Sequence, residues 1–312
     1  MVKYFDFERD IQKIDDLLDS LDKFNSDNSS KINQLQLERT HKLKSIYSRL
    51  EPWQKVQVSR HNDRPHSIDY INNIFGNIIY LHGDKKFADD SAIIGGFAKI
   101  ENQSIIFIGT EKGNTMDTRL KHNFGMAKPE GYRKSQRLIA LAEKFNLPVV
   151  TLVDTAGAFP GKDAEERGQS ESIASSILSF LRVMTPTLSV IIGEGGSGGA
   201  IGIATSDKVL MLEHSTYSVI SPEGCASILW RSTNFSQEAA NTLKLTSEDC
   251  KKFEIIDDII PEIPGGAHRN HLEQSKIVKE FLLDNIEKLK SFPIKDLIKR
   301  RKKKYLNITS DI

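Results

Sequence analysis

The most informative segment of this chain is Val190-Ile191-Ile192-Gly193-Glu194-Gly195-Gly196-Ser197-Gly198-Gly199-Ala200-Ile201-Gly202. Three β-branched apolar residues lead into five glycines within seven positions, and small and apolar residues follow. The pattern predicts a buried strand, a tight turn and the start of a helix, because glycine permits positive φ and close backbone approach. The first turn of a helix has N–H groups without intrahelical partners, and the helix dipole adds partial positive charge. Such a turn would stabilise a substrate oxygen that gains negative charge.

A second loop of this kind follows an earlier apolar run. Residues 147–153 predict a buried parallel strand, and they lead into Asp154-Thr155-Ala156-Gly157-Ala158-Phe159-Pro160-Gly161. Because loops at the carboxyl ends of neighbouring parallel strands face one crevice, we expect both loops to present backbone N–H groups to one site. Pairs of such donors suit an enolate or another oxyanion. Spacing alone leaves open a structural alternative, in which the glycines only allow tight packing of helix on sheet.

Strand and helix patterns alternate through the middle of the chain. Residues 68–81 suit a helix, and Pro222 is placed to begin another helix at its first turn. Further strands are predicted at residues 92–100, 105–109, 187–192, 208–212 and 217–220. Alternation with short connections predicts an α/β fold with right-handed crossovers.

Both ends of the chain also predict helices. Residues 4–50 carry apolar side chains at three- and four-residue steps around a polar turn at 25–30, which predicts an antiparallel hairpin docked on the body or on a partner. Near the other end, Lys299-Arg300-Arg301-Lys302-Lys303-Lys304 is typical of a solvated helix end rather than a nucleic-acid patch. We therefore expect a helical hairpin, a body and a basic tail at residues 1–50, 51–292 and 293–312.

Composition argues against several classes of function. The chain has 312 residues, of which 27% are charged and 38% hydrophobic, as is ordinary for a soluble globular protein. Its net charge of +1 gives no bulk attraction to nucleic acid or membranes. Cys225 and Cys250 form no C-x-x-C pair and the eight histidines are scattered, so we expect neither a disulfide framework nor a metal site. Without an apolar run of about 20 residues or a signal-like start, a cytoplasmic protein is expected.

Two short motifs match other enzyme classes. Asp154-Thr155-Ala156-Gly157 matches the D-x-x-G of GTPases, but the G-x-x-x-x-G-K-[ST] phosphate loop is missing upstream. Gly195 to Gly199 fits G-x-S-x-G, so a serine hydrolase with Ser197 as nucleophile is the alternative function. That enzyme would need a histidine base held by an acid. The downstream histidines, none in a persuasive context, are His214, His268 and His271.

Several longer segments carry a family resemblance. They are residues 123–134, the loop 154–161, residues 164–174, the glycine segment 193–202, and residues 217–224. Over residues 4–290 the chain closely resembles the alpha subunits of the carboxyltransferase component of acetyl-CoA carboxylase, of the separate-subunit bacterial and plastid kind. The resemblance implies the crotonase-like (ClpP/crotonase) fold of repeated ββα units, with an N-terminal helical hairpin and C-terminal helices. The basic tail is expected to fall outside it.

The resemblance also implies a reaction. Carboxybiotin on a separate biotin carboxyl carrier protein gives its carboxyl group to acetyl-CoA, which yields malonyl-CoA for fatty-acid biosynthesis. Biotin itself would take the methyl proton, so no Glu or His base is expected. The implied catalytic groups, which would face the biotin ureido oxygen, are Gly198 and Gly199 with Gly157 and Ala158 opposite. The residues implied to surround the cofactor are Gly195, Gly196, Phe159 and Gly161.

The partners implied by the resemblance are other chains. The zinc ribbon of this class belongs to the beta subunit, and this chain has no Met-Lys-Met biotin-attachment sequence. We therefore expect an α2β2 heterotetramer with the beta subunit, working with the biotin carboxyl carrier protein, biotin carboxylase and acetyl-CoA. Neither nucleic acid nor a membrane is expected as a partner, and the choice between acetyl-CoA and propionyl-CoA stays open. Candidates for holding CoA phosphates are Arg119, Lys121 and Arg133.

Overall fold

An eight-stranded mixed β-sheet lies at the centre of the protein. The computed structural model describes residues 4–21 and 28–308. Its strands are β1 (Gly76–Tyr80), β2 (Ile93–Ile100), β3 (Gln103–Thr110), β4 (Val149–Thr155), β5 (Thr187–Gly196), β6 (Lys208–Leu212), β7 (Thr216–Ser218) and β8 (Asp258–Ile260). The sheet order is β1-β2-β3-β4-β5-β6-β8, and β7 pairs with the end of β5. The pairs from β1 to β3 are antiparallel, and those from β3 onward are parallel.

Helices cover both faces of this sheet. In chain order they are α1 (Arg9–Ser20), α2 (Ser29–Tyr47), α3 (Pro52–Ser59), α4 (Ser67–Ile74), α5 (Met116–Lys121), α6 (Pro129–Phe145), α7 (Lys162–Glu166), α8 (Gln169–Arg182), α9 (Ser197–Ala204), α10 (Pro222–Trp230), α11 (Ser236–Leu243), α12 (Ser247–Lys252), α13 (His271–Lys290) and α14 (Ile294–Asn307). Pro222 begins α10, as its position in the sequence predicts.

Strand β4 shows why the sequences of the central strands are continuous apolar runs. All seven of its residues are buried, because helices pack on both sides of it. Val150 and Leu152 pack in a core with α4 and α13, whereas Val149 and Val153 pack in a second core with α6, α8 and α9. The predicted α/β class is confirmed, and the two cores hold the carboxyl ends of β4 and β5 in fixed positions.

One predicted helix is wrong over part of its length. Residues 68–81 form α4 as far as Ile74, and the chain then enters β1 at Gly76. Ile79 pairs with Phe97 and Tyr80 pairs with Gly96 in antiparallel register. Helical spacing of the apolar residues continues through this segment, but pairing with β2 decides its conformation because β-branched and aromatic residues suit a pleated edge.

The N-terminal helices dock on the body, as the sequence predicts. Half of the predicted turn at residues 25–30 lies outside the described residues, which resume at Asn28, and Ser29 already begins α2. Helices α1 and α2 pack against each other and share a small core with Val58 of α3. Glu8, which is fully buried, pairs with Arg269 and accepts a hydrogen bond of 2.9 Å from Tyr47 Oη. The boundaries at residues 50 and 292 remain predictions.

The basic tail is a packed helix, so the expectation of a solvated end is wrong for part of it. Arg301 in α14 is 1% exposed. Its guanidinium group donates to both carboxylate oxygens of Asp207, at 2.7 and 2.6 Å, and to three backbone carbonyls between residues 180 and 185. Lys304, one turn further on, pairs with Asp257, whereas Lys302 and Lys303 are exposed. Helical spacing therefore divides one charge run between the interior and the solvent.

We predict that Arg301→Met lowers the free energy of unfolding by about 3–5 kcal/mol, because it leaves Asp207 buried without its counter-charge. Urea unfolding of the full chain measures this. The matched control is Lys302→Met, which makes the same change one residue away at an exposed position and is expected to cost less than about 0.5 kcal/mol. Equal losses in the two variants would contradict the structural role of Arg301.

Candidate functional site

The glycine turn lies directly against the loop that follows β4. The two strands are parallel neighbours, and Thr155 stands opposite Gly195 in their register. A Cβ added to Gly199 would lie 2.5 Å from the carbonyl carbon of Gly157 and 2.6 Å from the amide nitrogen of Ala158. No side chain fits in that space, so the two loops meet backbone to backbone. The structure thus brings together Gly157, Ala158 and Gly199.

A second close contact supports the turn one residue before the helix. A Cβ on Gly196 would lie 2.2 Å from the carbonyl oxygen of Ala156. Ser197 then begins α9 with φ at 52°, a left-handed conformation that side chains other than glycine seldom adopt. Gly198 has more room, since the nearest atoms to an added Cβ are Ile173 side-chain carbons at 3.8 Å. The turn is therefore tight on the side of β4 and open towards α8.

The backbone donors at this contact differ between the two loops. Gly198 and Gly199 lie in the first turn of α9, where N–H groups have no acceptor from the preceding turn and the helix dipole is positive. In the other loop, the Gly157 N–H donates to Thr155 Oγ1 at 3.1 Å. The Ala158 N–H has no acceptor within the described residues. Of the two predicted donors in this loop, Gly157 thus has an acceptor for its N–H, and Ala158 has none among the described residues.

The predicted cofactor-binding residues lie in three different places. Gly196 is at the loop contact, but Gly195 is buried behind it, where an added Cβ would lie 2.7 Å from the Tyr217 ring. Gly161 packs under the ring of Phe159, with 2.2 Å between an added Cβ and a ring carbon. The Phe159 ring is partly buried, and the Lys128 ammonium lies 4.8 Å from its centroid. Phe159 and Gly161 thus lie in the loop after β4, in its part further from the sheet than Gly157.

A cavity of about 250 Å³ opens beside this contact. Its border includes Ala156, and its charged lining consists of Arg60, Arg64, Lys112, Arg119, Asp154 and Glu194. Phe124, 41% exposed, lies at its edge on a turn in which Asn123, Phe124 and Gly125 all have left-handed φ, at 48°, 55° and 75°. Thr155 Oγ1 lies 2.7 Å from the Gly125 carbonyl oxygen and donates to it, which joins that turn to the loop after β4.

Sequence reasoning missed the charged residues under the two loops. Lys112 Nζ lies 2.7 Å from Asp154 Oδ1 and 2.7 Å from Glu194 Oε2. Arg60 Nε lies 2.6 Å from the other oxygen of Glu194. Burial alone would raise the pKa of Glu194, but the charges of Lys112 and Arg60 outweigh it and lower that pKa to about 2. In the sequence, Lys112 is a single lysine before a glycine, and no local pattern marks it as buried.

The three candidates for CoA phosphates differ in their surroundings. Arg133 donates to the Arg167 carbonyl and faces Glu130 and Asp84 at 3.8 and 3.9 Å. Lys121 is exposed on α5. Arg119 borders the cavity and donates to two neutral oxygens, the Gly113 carbonyl and Asn62 Oδ1, each at 3.3 Å. Of the three, Arg119 is the one placed beside the two loops.

The structure gives no support to a Ser197 hydrolase. Ser197 makes no hydrogen bond to a histidine within residues 4–21 and 28–308. His268 stacks on His61 with 4.1 Å between ring centroids, and burial lowers the pKa of His268 to about 2. His214 packs 5.3 Å from the Tyr47 ring, and His271 Nε2 contacts the Asp63 carbonyl. His268 and His214 thus pack against other aromatic rings and His271 contacts a backbone carbonyl, and none of the three is paired with Ser197.

The described residues contain no group of three or more His, Cys, Asp or Glu side chains arranged to hold a metal ion. Among the helices described, none combines the length and the apolar character needed to cross a bilayer.

The fold is that of crotonase-type carboxyltransferases. A structure of transcarboxylase 12S gives a TM-score of 0.53 at 18% identity, over 69% of this chain and 41% of that chain. The beta subunit of P. aeruginosa geranyl-CoA carboxylase gives 0.56 at 17%, over 78% and 46%. A Pseudomonas malonate decarboxylase hetero-tetramer gives 0.59 at 11%, over 75% and 91%. At these identities the likeness concerns the fold alone.

The chain belongs to the acetyl co-enzyme A carboxylase carboxyltransferase-like family, whose model matches residues 4–309. Among similar relatives, the acetyl-coenzyme A carboxylase carboxyl transferase subunit alpha of Rhodospirillum centenum is 49% identical over 98% of each chain. The protein of the same name from Zymomonas mobilis is 50% identical over 99% of each. Because the match runs through α14, the expectation that the basic tail lies outside the resemblance is wrong.

We predict opposite effects of an added methyl group at the two neighbouring glycines of α9. Gly199→Ala should lower the free energy of unfolding by about 1–3 kcal/mol, because the Cβ meets backbone atoms of Gly157 and Ala158. Gly198→Ala should be neutral or stabilising by up to about 1 kcal/mol, because its Cβ has space and alanine favours a helix. Urea unfolding of both variants measures the difference, and equal stabilities would contradict the loop contact.

Proposed function

We propose that this chain is the alpha subunit of an acetyl-CoA carboxylase carboxyltransferase. It would act in moving the carboxyl group from carboxybiotin to acetyl-CoA, which gives malonyl-CoA for fatty-acid biosynthesis. Family membership over residues 4–309 supports the proposal, as do relatives of that name that match along nearly their whole length. The structural observation that carries it is the contact of Gly199 with Gly157 and Ala158.

The residues at this contact fit a carbonyl-type oxygen that becomes negative. The N–H of Ala158 has no acceptor within the described residues, and the N–H groups of Gly198 and Gly199 lie at the positive end of α9. When bound, biotin supplies the carboxyl group and a basic ureido group for the methyl proton of acetyl-CoA. The amides of Ala158, Gly198 and Gly199 would donate to the ureido oxygen and stabilise its charge. Each such donor is worth about 3 kcal/mol of the barrier, roughly a hundredfold in rate.

The two carboxylates nearest the loops are held in ion pairs and hydrogen bonds. Lys112 and Arg60 hold the Glu194 carboxylate in ion pairs, and a pKa of about 2 makes it a weak acceptor at neutral pH. Asp154 is bound by the same Lys112 ammonium and by the backbone N–H of Glu194. These contacts support a mechanism in which this chain positions the reactants and stabilises the negative oxygen, while the cofactor accepts the proton.

We infer that the chain works in an α2β2 heterotetramer with a beta subunit that bears a zinc ribbon. Biotin would arrive on a separate biotin carboxyl carrier protein after carboxylation by biotin carboxylase. Exposed apolar residues on α9, on α10 and in the segment before α10 support a protein partner, because such residues are common at interfaces. They are Ile201, Val219, Ile228 and Leu229, which are 43%, 74%, 70% and 63% exposed. The buried free thiols of Cys225 and Cys250 support a reducing, cytoplasmic location.

Reconstitution tests this proposal. We expect the purified chain to be inactive alone and to carry out malonyl-CoA-dependent carboxylation of biocytin once it is mixed with a carboxyltransferase beta subunit. A properly assembled complex that stays silent would refute the proposed function.

The amide donor is tested by two substitutions at one position. Gly199→Ala adds bulk and keeps the N–H, whereas Gly199→Pro adds bulk and removes it at a helix position where proline is tolerated. In the assembled complex we expect the kcat of the proline variant to fall about a hundredfold below that of the alanine variant. Steady-state kinetics with biocytin measures this ratio, and equal rates would exclude the Gly199 N–H as a donor.

A further inference from the structure

One ammonium group joins the two strands that end in the proposed site. Lys112 lies just after the end of β3. Its ammonium nitrogen lies 2.7 Å from a carboxylate oxygen of Asp154 in β4 and 2.7 Å from a carboxylate oxygen of Glu194 in β5. Asp154 precedes Gly157 by three residues, and Glu194 precedes Gly199 by five. Each carboxylate thus lies at the base of one of the two loops whose contact forms the donor pair. The Lys112 side chain is only 17% exposed.

Backbone contacts make this ion cluster rigid. Asp154 Oδ1 also accepts the N–H of Glu194 at 2.9 Å. Gly193 lies so close to the Asp154 carboxylate that an added Cβ would be 2.4 Å from Oδ1. The guanidinium group of Arg60 binds the second carboxylate oxygen of Glu194 at 2.6 Å. The same group binds the carboxylate of Glu223, near the start of α10, at 2.5 Å. Lys112 therefore bonds to both β4 and β5, and a change in it would move both loops.

The charge of Lys112 matters as much as its bonds. Without it, the carboxylates of Asp154 and Glu194 would face each other at the base of a site that has to hold a negative oxygen. Two like charges in such contact oppose ionisation of one another and also oppose a third negative charge nearby. The positive charge of Lys112 lies between them and reduces this penalty.

We propose that Lys112 is a positioning residue of the carboxyltransferase, which sets the spacing of the two donor loops and neutralises the carboxylates at their base. This inference rests on the proposed function, because it assumes that the loop amides stabilise an anion. In this proposal Lys112 acts through its ion pairs with Asp154 and Glu194.

The neighbouring titratable groups keep this cluster charged in the normal protein. Burial disfavours the charged form of Lys112, but Asp154 and Glu194 outweigh it and raise the pKa of Lys112 above its usual range. Arg60 and Glu223 face the cluster from α3 and α10, and Arg64 faces it while paired with Glu262. His66 faces Asp154, and despite its burial the Glu111 hydrogen bond and the Asp154 charge raise its pKa. Since His66 is another titratable group beside Asp154, only the ratio of variant to wild-type kcat isolates the effect of Lys112.

The experiment removes the ammonium in the reconstituted complex. We expect Lys112→Met to lower kcat for biocytin carboxylation about ten- to hundredfold at about pH 8, with KM for biocytin changed less than about threefold. The ratio of variant to wild-type kcat should rise as the pH falls from about 9 to 6, because the Asp154–Glu194 pair, without the ammonium between its carboxylates, takes up a proton whose charge replaces that of Lys112. Lys112→Arg keeps the charge and is expected to show a pH-independent ratio.

A double variant separates charge from simple loss of packing. Lys112→Met with Glu194→Gln removes one positive and one negative charge, so we expect it to recover at least about tenfold of the lost kcat at pH 8 and to lose the new pH dependence. If the single variant does not assemble, the kcat of the double variant and its pH dependence still test the proposal. The matched control is Lys304→Met, which removes a lysine paired with Asp257 on α14, away from the loops. It is expected to keep wild-type kcat and pH profile.

Two outcomes would overturn the proposal. One is a Lys112→Met ratio that stays constant with pH, and the other is a double variant no more active than the single one. If either result is obtained while the kcat of Gly199→Pro remains below that of Gly199→Ala, the positioning role of Lys112 is rejected and the proposed function is not. Equal rates of the two Gly199 variants would instead reject the donor loops on which this inference rests.

Discussion

The contact between the backbones of Gly199 and of Gly157 with Ala158 is the constraint on which the site depends. It exists because β4 and β5 are parallel neighbours whose carboxyl ends stand in register, Thr155 opposite Gly195. Where the strands end, the chain has to turn twice in the same small space, and added Cβ atoms at Gly196 and Gly199 would overlap the neighbouring backbone. The absence of side chains lets the two loop backbones come into contact, and this closeness supports the proposal that their N–H groups stabilise a negative oxygen.

Two kinds of interaction hold that contact in place, and they act at different ranges. The two apolar cores fix β4 and β5 from both faces, so the positions of the strand ends follow from side-chain packing. The ion cluster of Lys112, Asp154, Glu194 and Arg60 then joins the strand ends to β3, α3 and α10. Packing is non-directional, whereas the charged hydrogen bonds have defined geometry. The cluster is therefore suited to fix details of loop position that packing alone would leave variable.

The ends of the chain are attached by the same kind of bond. Glu8 of the N-terminal hairpin pairs with Arg269, and Arg301 of α14 pairs with Asp207, all in buried surroundings. Breaking a buried pair leaves an uncompensated charge, so each of these pairs holds its helices in one docking position. Helix α14 thereby becomes part of the α8 and β5–β6 layer, which agrees with a family match that extends to residue 309.

The sequence by itself determined the α/β class, most strands and helices, the two glycine loops and the family, because these depend on residues close together in the chain. Where local pattern and long-range pairing disagreed, as in β1, the prediction failed, since pairing with β2 overrides helical spacing. Only the tertiary structure showed that the N–H of Gly157 has an acceptor while that of Ala158 has none among the described residues, and which charges are buried. Lys112 meets Glu194 across 82 positions and Arg301 meets Asp207 across 94. The sequence shows whether a residue is positively or negatively charged. Which residue it pairs with is determined by the packing of strands and helices, because that packing brings distant segments together.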